Sequence, residues 1–142
     1  MQVQTMEDIR ITDHAIQRWN ERPINTDIKE AIEIAVAAGF EIKKNQQVLL
    51  NIEGTTDIFV FKAKRGQMAL VTVENACNMV RGRKIPIRVT GNHKDDEENI
   101  LMWMKEKKAI HKKNDNLDDI FFIHTPDGMT KEVKRFSNRA SF

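Results

Sequence analysis

The feature that most constrains the fold is a change in hydrophobic period at Gly39. Before this glycine, apolar residues recur at helical spacing, whereas after it short β-rich runs alternate with turn sequences. The runs are 40–42, 47–52, 56–61 and 68–73, and the turns between them fall at 43–45, 53–54 and 65–66. The pattern predicts an α+β chain in which helices precede an antiparallel meander.

Two helices are predicted before the meander, preceded by a short strand at 9–11. Thr12 or Asp13 can cap the first helix, and Pro23 ends it because the residue before a proline avoids helical geometry. The second helix begins near Asp27 and ends at Gly39, a typical left-handed C-terminal cap. The residues of the first helix that we expect to face the core are Ala15, Ile16 and Trp19.

The last third of the chain is predicted to contain one more strand, a third helix and a second hairpin. Residues 85–89 read as one more strand, with Pro86 favouring an edge position or a bulge. A helix is predicted from the acidic residues 95–98 to about Lys112, followed by a hairpin of 120–124 and 129–133 around a turn at 125–128. We therefore expect a domain over 1–92 and a C-terminal extension over 93–142 that packs on it.

Composition indicates the number of domains and the cellular compartment, but it does not identify a function. The chain has 142 residues, enough for one domain, and its net charge of +2 does not by itself indicate a nucleic-acid binder. The single cysteine, Cys77, excludes an internal disulfide and a cysteine-based metal cluster, which favours a reducing cytoplasm. The four histidines are scattered, and no apolar run approaches the length that crosses a bilayer, so neither a metal site nor a membrane partner is expected.

The predicted first helix carries His14, Arg18 and Arg22 at four-residue spacing, which places them on one stripe. Histidine changes charge near neutral pH, and the arginine fork binds phosphate oxygens. The stripe thus combines a proton carrier with anion anchors, as RNA cleavage requires. The alternative is a solvated helix face whose arginines are neutralised by acids such as Glu21.

A second basic feature lies between Lys62 and Arg88, where Glu74 is the one acidic residue. Together with the helix stripe it supplies the candidate phosphate-binding residues Arg18, Arg22, Lys62, Lys64, Arg65, Arg81, Arg83 and Lys84. The alternative is the ordinary polar face and turns of a sheet. By parity Lys62 and Lys64 share a face, while Arg65 belongs to a turn.

The strand, the two helices carrying His14-Ala15, Arg18 and Arg22, and the basic meander resemble the RelE-like superfamily of small endoribonucleases. The likeness is to toxin-like families whose first helix reads His-Ala-x-x-Arg-x-x-x-Arg and to the phage messenger endoribonuclease; it covers about the first ninety residues. It implies two helices packed on a twisted antiparallel sheet, with the C-terminal helix and hairpin as additions. It also implies RNA, free or on the ribosome, as partner, an antitoxin or host protein as a second partner, and no cofactor.

Because this chain contains no tyrosine, the resemblance implies a histidine-based mechanism in place of a tyrosine-based one. A ribose 2′-hydroxyl would attack the adjacent phosphate without a metal ion, with His14 transferring a proton and arginines holding the phosphate. His93, just after the basic strand region, is the preferred second proton carrier, with Glu74 as the alternative. The competing hypothesis is a non-catalytic RNA-, nucleotide- or protein-binding regulator or inhibitor on the same scaffold.

Overall fold

A computed structural model describes residues 8–44, 46–80, 83–86, 93–110 and 118–136, and within these ranges the chain is an α+β fold with three helices and a six-stranded mixed sheet. In chain order the elements are β1 (Ile9–Ile11), α1 (Asp13–Glu21), α2 (Ile28–Ala38), β2 (Gln46–Ile52), β3 (Asp57–Lys64), β4 (Gln67–Asn75), β5 (Cys77–Val80), β6 (Arg83–Pro86), α3 (His93–Ile110), β7 (Asp118–His124) and β8 (Thr130–Phe136). No helix in this described part is long and apolar enough to cross a membrane.

The large sheet has the strand order β1-β4-β3-β2-β7-β8. The meander β2-β3-β4 and the hairpin β7-β8 are antiparallel, as expected. The expectation of a wholly antiparallel sheet is wrong, because β1 pairs parallel to β4 and β2 pairs parallel to β7. Strands β5 and β6 form a separate antiparallel pair, in which Cys77 lies opposite Pro86. The predicted strand over 85–89 overlaps β6, and residues 87–89 lie outside the described residues.

The ends of α1 and α2 follow from local capping chemistry, as predicted. The Thr12 hydroxyl accepts the backbone N–H of Ala15 at 3.1 Å, and the Asp27 carboxylate accepts that of Lys29 at 3.1 Å. Gly39 ends α2 with φ at 64°, a left-handed conformation that costs glycine little.

Two expectations about apolar residues fail for packing reasons. Ile16 is 44% exposed, since α1 covers the sheet with a narrow strip in which Ala15 is fully buried. The run 40–42 has a single bridge residue at Glu41 and no strand, although Phe40 and Ile42 are buried. Their apolar character reflects insertion into the core after the α2 cap, and not strand pairing.

The sheet separates two hydrophobic cores. One contains Ala15 of α1, residues of α2 and one set of alternating strand side chains, represented by Phe59 and Phe61. The other contains Ile100 and Trp103 of α3 and the intervening side chains of the same strands. Strand β7 enters this sheet beside β2, and its Phe121 is fully buried. The C-terminal segment therefore completes the core beneath α3.

The loop between α1 and α2 is fastened to the sheet by the fully buried carboxylate of Asp57 at the start of β3. This carboxylate accepts the backbone N–H groups of Asn25 and Thr26 and the Thr26 hydroxyl, at 2.7 to 3.2 Å. Buried carboxylates need such donors, because removing the charge from water is costly. Asp57 thus fixes the relative positions of α1, α2 and β3.

Candidate nucleic-acid interface

Helix α1 and the residues beside it lie along an edge of β4. Strand β1 pairs with only three residues of β4, Met68 to Leu70, and ends there. At that point the Thr12 backbone N–H donates to the Leu70 carbonyl at 3.1 Å, and three residues further along β4 the Arg22 guanidinium donates to the Val73 carbonyl at 2.8 Å. Groups near both ends of α1 are therefore fixed to the strand, and Arg22 satisfies an edge carbonyl that β1 does not reach.

Arg22 does not continue the helical stripe that the sequence predicts. It is the C-cap of α1, with extended φ and ψ of −104° and 154°, and its guanidinium lies 3.7 Å from the Glu74 carboxylate. Both side chains are largely covered, with 29% of Arg22 and 16% of Glu74 exposed. The structure thus brings two predicted site residues together, as an ion pair with each other at the edge of β4.

His14 and Arg18 remain as neighbours on successive turns of α1, with Cβ atoms about 5–6 Å apart. His14 is exposed, and its ring has no hydrogen-bond partner among the residues that the structure describes. Arg18 donates to the Glu21 carboxylate at 3.1 Å in a solvent-exposed ion pair, while its Nε is buried without an acceptor. This surface of α1, here called the His14 and Arg18 flank, therefore presents an imidazole without a hydrogen-bond partner among the described residues and a guanidinium that is partly neutralised by Glu21.

The pKa of Glu21 is lowered by its neighbours on α1. The side-chain hydrogen bond from Gln17, at 2.9 Å, together with the charge of Arg18 lowers the pKa of the Glu21 carboxyl below its ordinary value. Glu21 therefore stays ionised through the neutral range and competes with an incoming phosphate for Arg18. Exposed pairs of this kind are weak, so a phosphate can displace the carboxylate.

Lys62 and Lys64 lie on the opposite face of the sheet from α1. Along β3, Phe59 and Phe61 face the α1 side, whereas Ile58 and Val60 face α3. Alternation then places both lysines on the α3 side, beyond the area that α3 covers. Arg65 sits in the β3-β4 turn with φ at 52°, as its predicted turn position requires. The sheet thus divides the predicted basic residues into two groups.

A further cation near the lysine group was missed from the sequence. Arg10 of β1 is exposed and lies opposite Ala69 of β4, which in turn lies opposite Lys62 of β3. The Cα atoms of Arg10 and Lys62 are therefore about 10 Å apart, two strand spacings. The alternation Ile9-Arg10-Ile11 could have indicated a solvent-facing arginine, but only the parallel register identifies its neighbour. Asp119, which Gln47 hydrogen-bonds, lies on the same face.

The remaining candidate site residues lie wholly or in their side chains outside the described residues. Arg81 lies outside the described residues, and so do the side chains of Arg83 and Lys84 in β6. His93 is the first residue of α3, and its side chain is likewise outside the described part. Within the residues that are described, no group of histidine, cysteine and acidic side chains could hold a metal ion.

Comparison with known proteins gives no match to a family model, to a curated protein or to a solved structure. The RelE-like arrangement therefore stays a prediction that depends on the residues of α1 and on the order of the first elements.

Proposed function

We propose that the protein is a metal-independent endoribonuclease on a RelE-like scaffold, toxin-like or phage-encoded, acting on RNA in the cytoplasm. The observation that carries the proposal is the exposed, unpartnered His14 one helical turn before Arg18. An imidazole that is accessible and free of competing hydrogen bonds can approach a ribose hydroxyl, and the neighbouring guanidinium can hold the phosphate.

In the proposed reaction the neutral imidazole of His14 removes the proton from a ribose 2′-hydroxyl. The 2′-oxygen attacks the adjacent phosphorus, and the bond from phosphorus to the 5′-oxygen breaks with uptake of a proton, giving a 2′,3′-cyclic phosphate and a free 5′-hydroxyl. Arg18 stabilises the negative charge on the non-bridging oxygens during this step. We assign the second proton to His93, since the ion pair with Arg22 ties Glu74 to the edge of β4.

RNA bound at α1 would reach the second basic group around the β1 side of the sheet. Arg10 of β1 and Lys62 of β3 lie on either side of Ala69 of β4, and Lys64 lies two residues further along β3. These cations would hold the backbone on the far face and thereby position a phosphate beside Arg18. Arg22 has a supporting role in this scheme, because its guanidinium already donates to Val73.

A second candidate function is a non-catalytic RNA-binding regulator, which a protein partner such as an antitoxin or host factor could also engage. The observation that favours it is the pairing of Glu74 with Arg22, which removes one of the two candidates for the second proton carrier. In this case the His14 and Arg18 flank would bind phosphate without cutting. The two candidates share the same surface and differ in whether the RNA is broken.

The test incubates end-labelled RNA in EDTA with the protein, with His14→Ala and with His124→Ala. His124 is a matched control, because its ring is hydrogen-bonded to Thr130 in the C-terminal hairpin. We expect discrete products ending in 2′,3′-cyclic phosphates, lost in His14→Ala and retained in His124→Ala. Intact RNA that is retarded in a gel, with retardation reduced by Arg18→Ala, would select the binding function. Equal cleavage by the protein and His14→Ala would overturn the assignment of His14 and, with it, the proposed reaction.

A further inference from the structure

Arg18 carries a buried polar atom that no residue in the described part of the chain satisfies. Its Nε is buried and has no hydrogen-bond acceptor, although 37% of the side chain as a whole is exposed. A buried donor without an acceptor is costly, because it has lost its contact with water and gained no partner in return. The conformation that Arg18 adopts is therefore not the best one for its own hydrogen bonding.

The Glu21 carboxylate holds Arg18 in this conformation. One carboxylate oxygen accepts an Nη–H of Arg18 at 3.1 Å, and the other accepts the side-chain amide of Gln17 at 2.9 Å. The Gln17 bond fixes the carboxylate from a second side and is the main cause of the lowered pKa of Glu21. Glu21 engages one nitrogen of Arg18, so the rest of the guanidinium has no acceptor among the described residues.

The contact between Arg18 and Glu21 is weak. Both partners are exposed, at 37% and 46% of their side chains, and exposed ion pairs contribute little to stability. The unsatisfied Nε opposes this conformation by at least as much as the pair favours it. A ligand that offers the guanidinium two acceptors at once should therefore be preferred to Glu21, which offers one.

A phosphate group supplies the two acceptors that Glu21 does not. The Nε–H and one Nη–H of an arginine point in the same direction, and two oxygens of one phosphate match their spacing. The second oxygen of Glu21 is turned towards Gln17, so the carboxylate does not make this paired contact. An anion that binds Arg18 in this way would lie beside the exposed His14, one helical turn earlier.

We propose that Glu21 is an autoinhibitory group that occupies Arg18 until an anion binds, and that a phosphate group opens the site by turning the guanidinium outward. In the open conformation Nε–H and one Nη–H of Arg18 bind two oxygens of the same phosphate, while Glu21 keeps its bond to Gln17. This regulation rests on the proposed function, because it concerns the phosphate that lies beside His14. The phosphate has two sources, the backbone of RNA or a free phosphate ion, and separate probes distinguish them.

The test follows the Nε–H signal of Arg18 by NMR in the ¹⁵N-labelled full chain. The chain is titrated with inorganic phosphate and, separately, with single-stranded 2′-O-methyl RNA, whose blocked 2′-oxygen cannot attack, so that binding is measured without cleavage. We expect a saturable shift of the Nε–H signal with both probes. Before a probe is added, this proton should exchange slowly with water, because Nε is buried.

Glu21→Gln should open the site by removing the charge that holds Arg18. Exchange of the Nε–H proton should become about two- to fivefold faster, the effect of losing one exposed ion pair. Binding of either probe should become stronger by about the same factor, since both quantities depend on the open fraction. The matched control is Glu33→Gln, which removes the same charge from the exposed surface of α2 and should alter neither quantity.

Arg18→Lys tests the paired contact, since lysine keeps the positive charge but has no planar fork. We expect this variant to bind both probes about tenfold more weakly, as the loss of one charge-assisted hydrogen bond predicts. If Arg18→Lys binds as tightly as the parent protein, the paired contact is excluded and the proposal is overturned. The missing signal in this variant also assigns the Nε–H resonance of Arg18.

The two probes separate this proposal from the proposed function. Shifts with 2′-O-methyl RNA support an RNA phosphate as the ligand, whereas shifts with inorganic phosphate alone support the site and contradict its action on RNA. The proposal is overturned if neither probe shifts the Nε–H signal, or if sodium chloride at equal ionic strength shifts it as far. It is also overturned if Glu21→Gln and Glu33→Gln have equal effects. Saturable shifts without cleavage in the nuclease test would contradict the nuclease and leave this site standing.

Discussion

Replacement of Arg22 by alanine separates a structural role at the edge of β4 from a direct role in phosphate binding. The guanidinium donates to the Val73 carbonyl at 2.8 Å and lies 3.7 Å from the Glu74 carboxylate. Both contacts are lost in Arg22→Ala, and the Val73 carbonyl loses the donor that covers it at an edge that β1 does not reach. We therefore expect a loss of stability larger than that of an ordinary surface substitution.

The magnitude follows from the two contacts. A hydrogen bond from a charged donor is worth about 1.5–3 kcal/mol, and the lower end applies here because Arg22 is 29% exposed. The ion pair is partly exposed and adds about 0.5 kcal/mol. The free energy of unfolding should thus fall by about 2 kcal/mol, with a decrease in Tm of about 4–8 °C for a domain of this size.

Urea denaturation followed by tryptophan fluorescence measures this change, since Trp19 and Trp103 lie in the two different cores. The matched variant is Arg18→Ala, whose exposed ion pair with Glu21 should cost no more than about 0.5 kcal/mol. For RNA binding, Arg18→Ala should have the larger effect of the two variants. Arg18→Ala should reduce the slope of log affinity against log salt by about one, as the loss of one phosphate contact does, whereas Arg22→Ala should leave that slope unchanged below its Tm.

The opposite pattern would refute this reasoning. Arg22 binds RNA directly if two results are obtained for Arg22→Ala. The free energy of unfolding would lie within about 0.5 kcal/mol of that of the parent protein, the usual range for a surface substitution. The slope of log affinity against log salt would also be reduced. The contact with Val73 would then make no net contribution in solution. A double-mutant cycle with Glu74→Gln gives a further check, because a pair at this separation should couple by about 0.5 kcal/mol.

Three further outcomes follow from single contacts. Asp57→Asn should lower the free energy of unfolding by about 2–4 kcal/mol in urea denaturation, since a carboxamide cannot accept all of the loop donors. Asp27→Asn is the control and should change the free energy of unfolding by less than about 0.5 kcal/mol, because asparagine caps helices equally well. Equal losses in the two variants would contradict this reasoning. Gly66→Ala should cost about 1–2 kcal/mol in thermal unfolding, since φ at Gly66 is 77° although space for a methyl group is open. Gln17→Ala should raise the pKa of Glu21 measured by NMR, because the hydrogen bond from Gln17 lowers that pKa in the folded state. The stabilisation that Glu21 contributes is present above its unfolded pKa and is lost as pH falls through its folded pKa. An unchanged pKa would exclude the Gln17 contact in solution.

The elements that could be predicted from the sequence are those whose signals are local. Thr12 and Asp27 cap their helices, Gly39 ends α2, and Arg65-Gly66 closes a two-residue hairpin between Lys64 and Gln67. Each of these depends on chemistry within a few residues. The helix α3 and the β7-β8 hairpin were predicted for the same reason, although α3 begins at His93 and not at the acidic residues that follow it.

The features that could not be predicted depend on contacts between distant segments. The parallel pairing of β1 with β4 places Ile9 opposite Met68, and that of β2 with β7 places Val48 opposite Ile120. No short pattern encodes such a register. The separation of Lys62 from α1 could not be predicted either, since parity indicates which strand residues share a face but not which face α1 covers.

This division of the cations bears on the kind of RNA that the proposed nuclease would bind. His14 and Arg18 are held beside β4 because groups at both ends of α1 donate to its edge carbonyls, so they form a fixed support and not a mobile arm. Arg10 and Lys62 lie on the other face. A backbone that contacts both groups must turn around the edge of the sheet, and an A-form duplex is too stiff to turn within such a distance. Single-stranded RNA can follow this path and can also expose a 2′-hydroxyl in line with the scissile phosphate. The proposed site therefore favours unpaired RNA, and a substrate cut only within stable duplex would be inconsistent with this arrangement of charges.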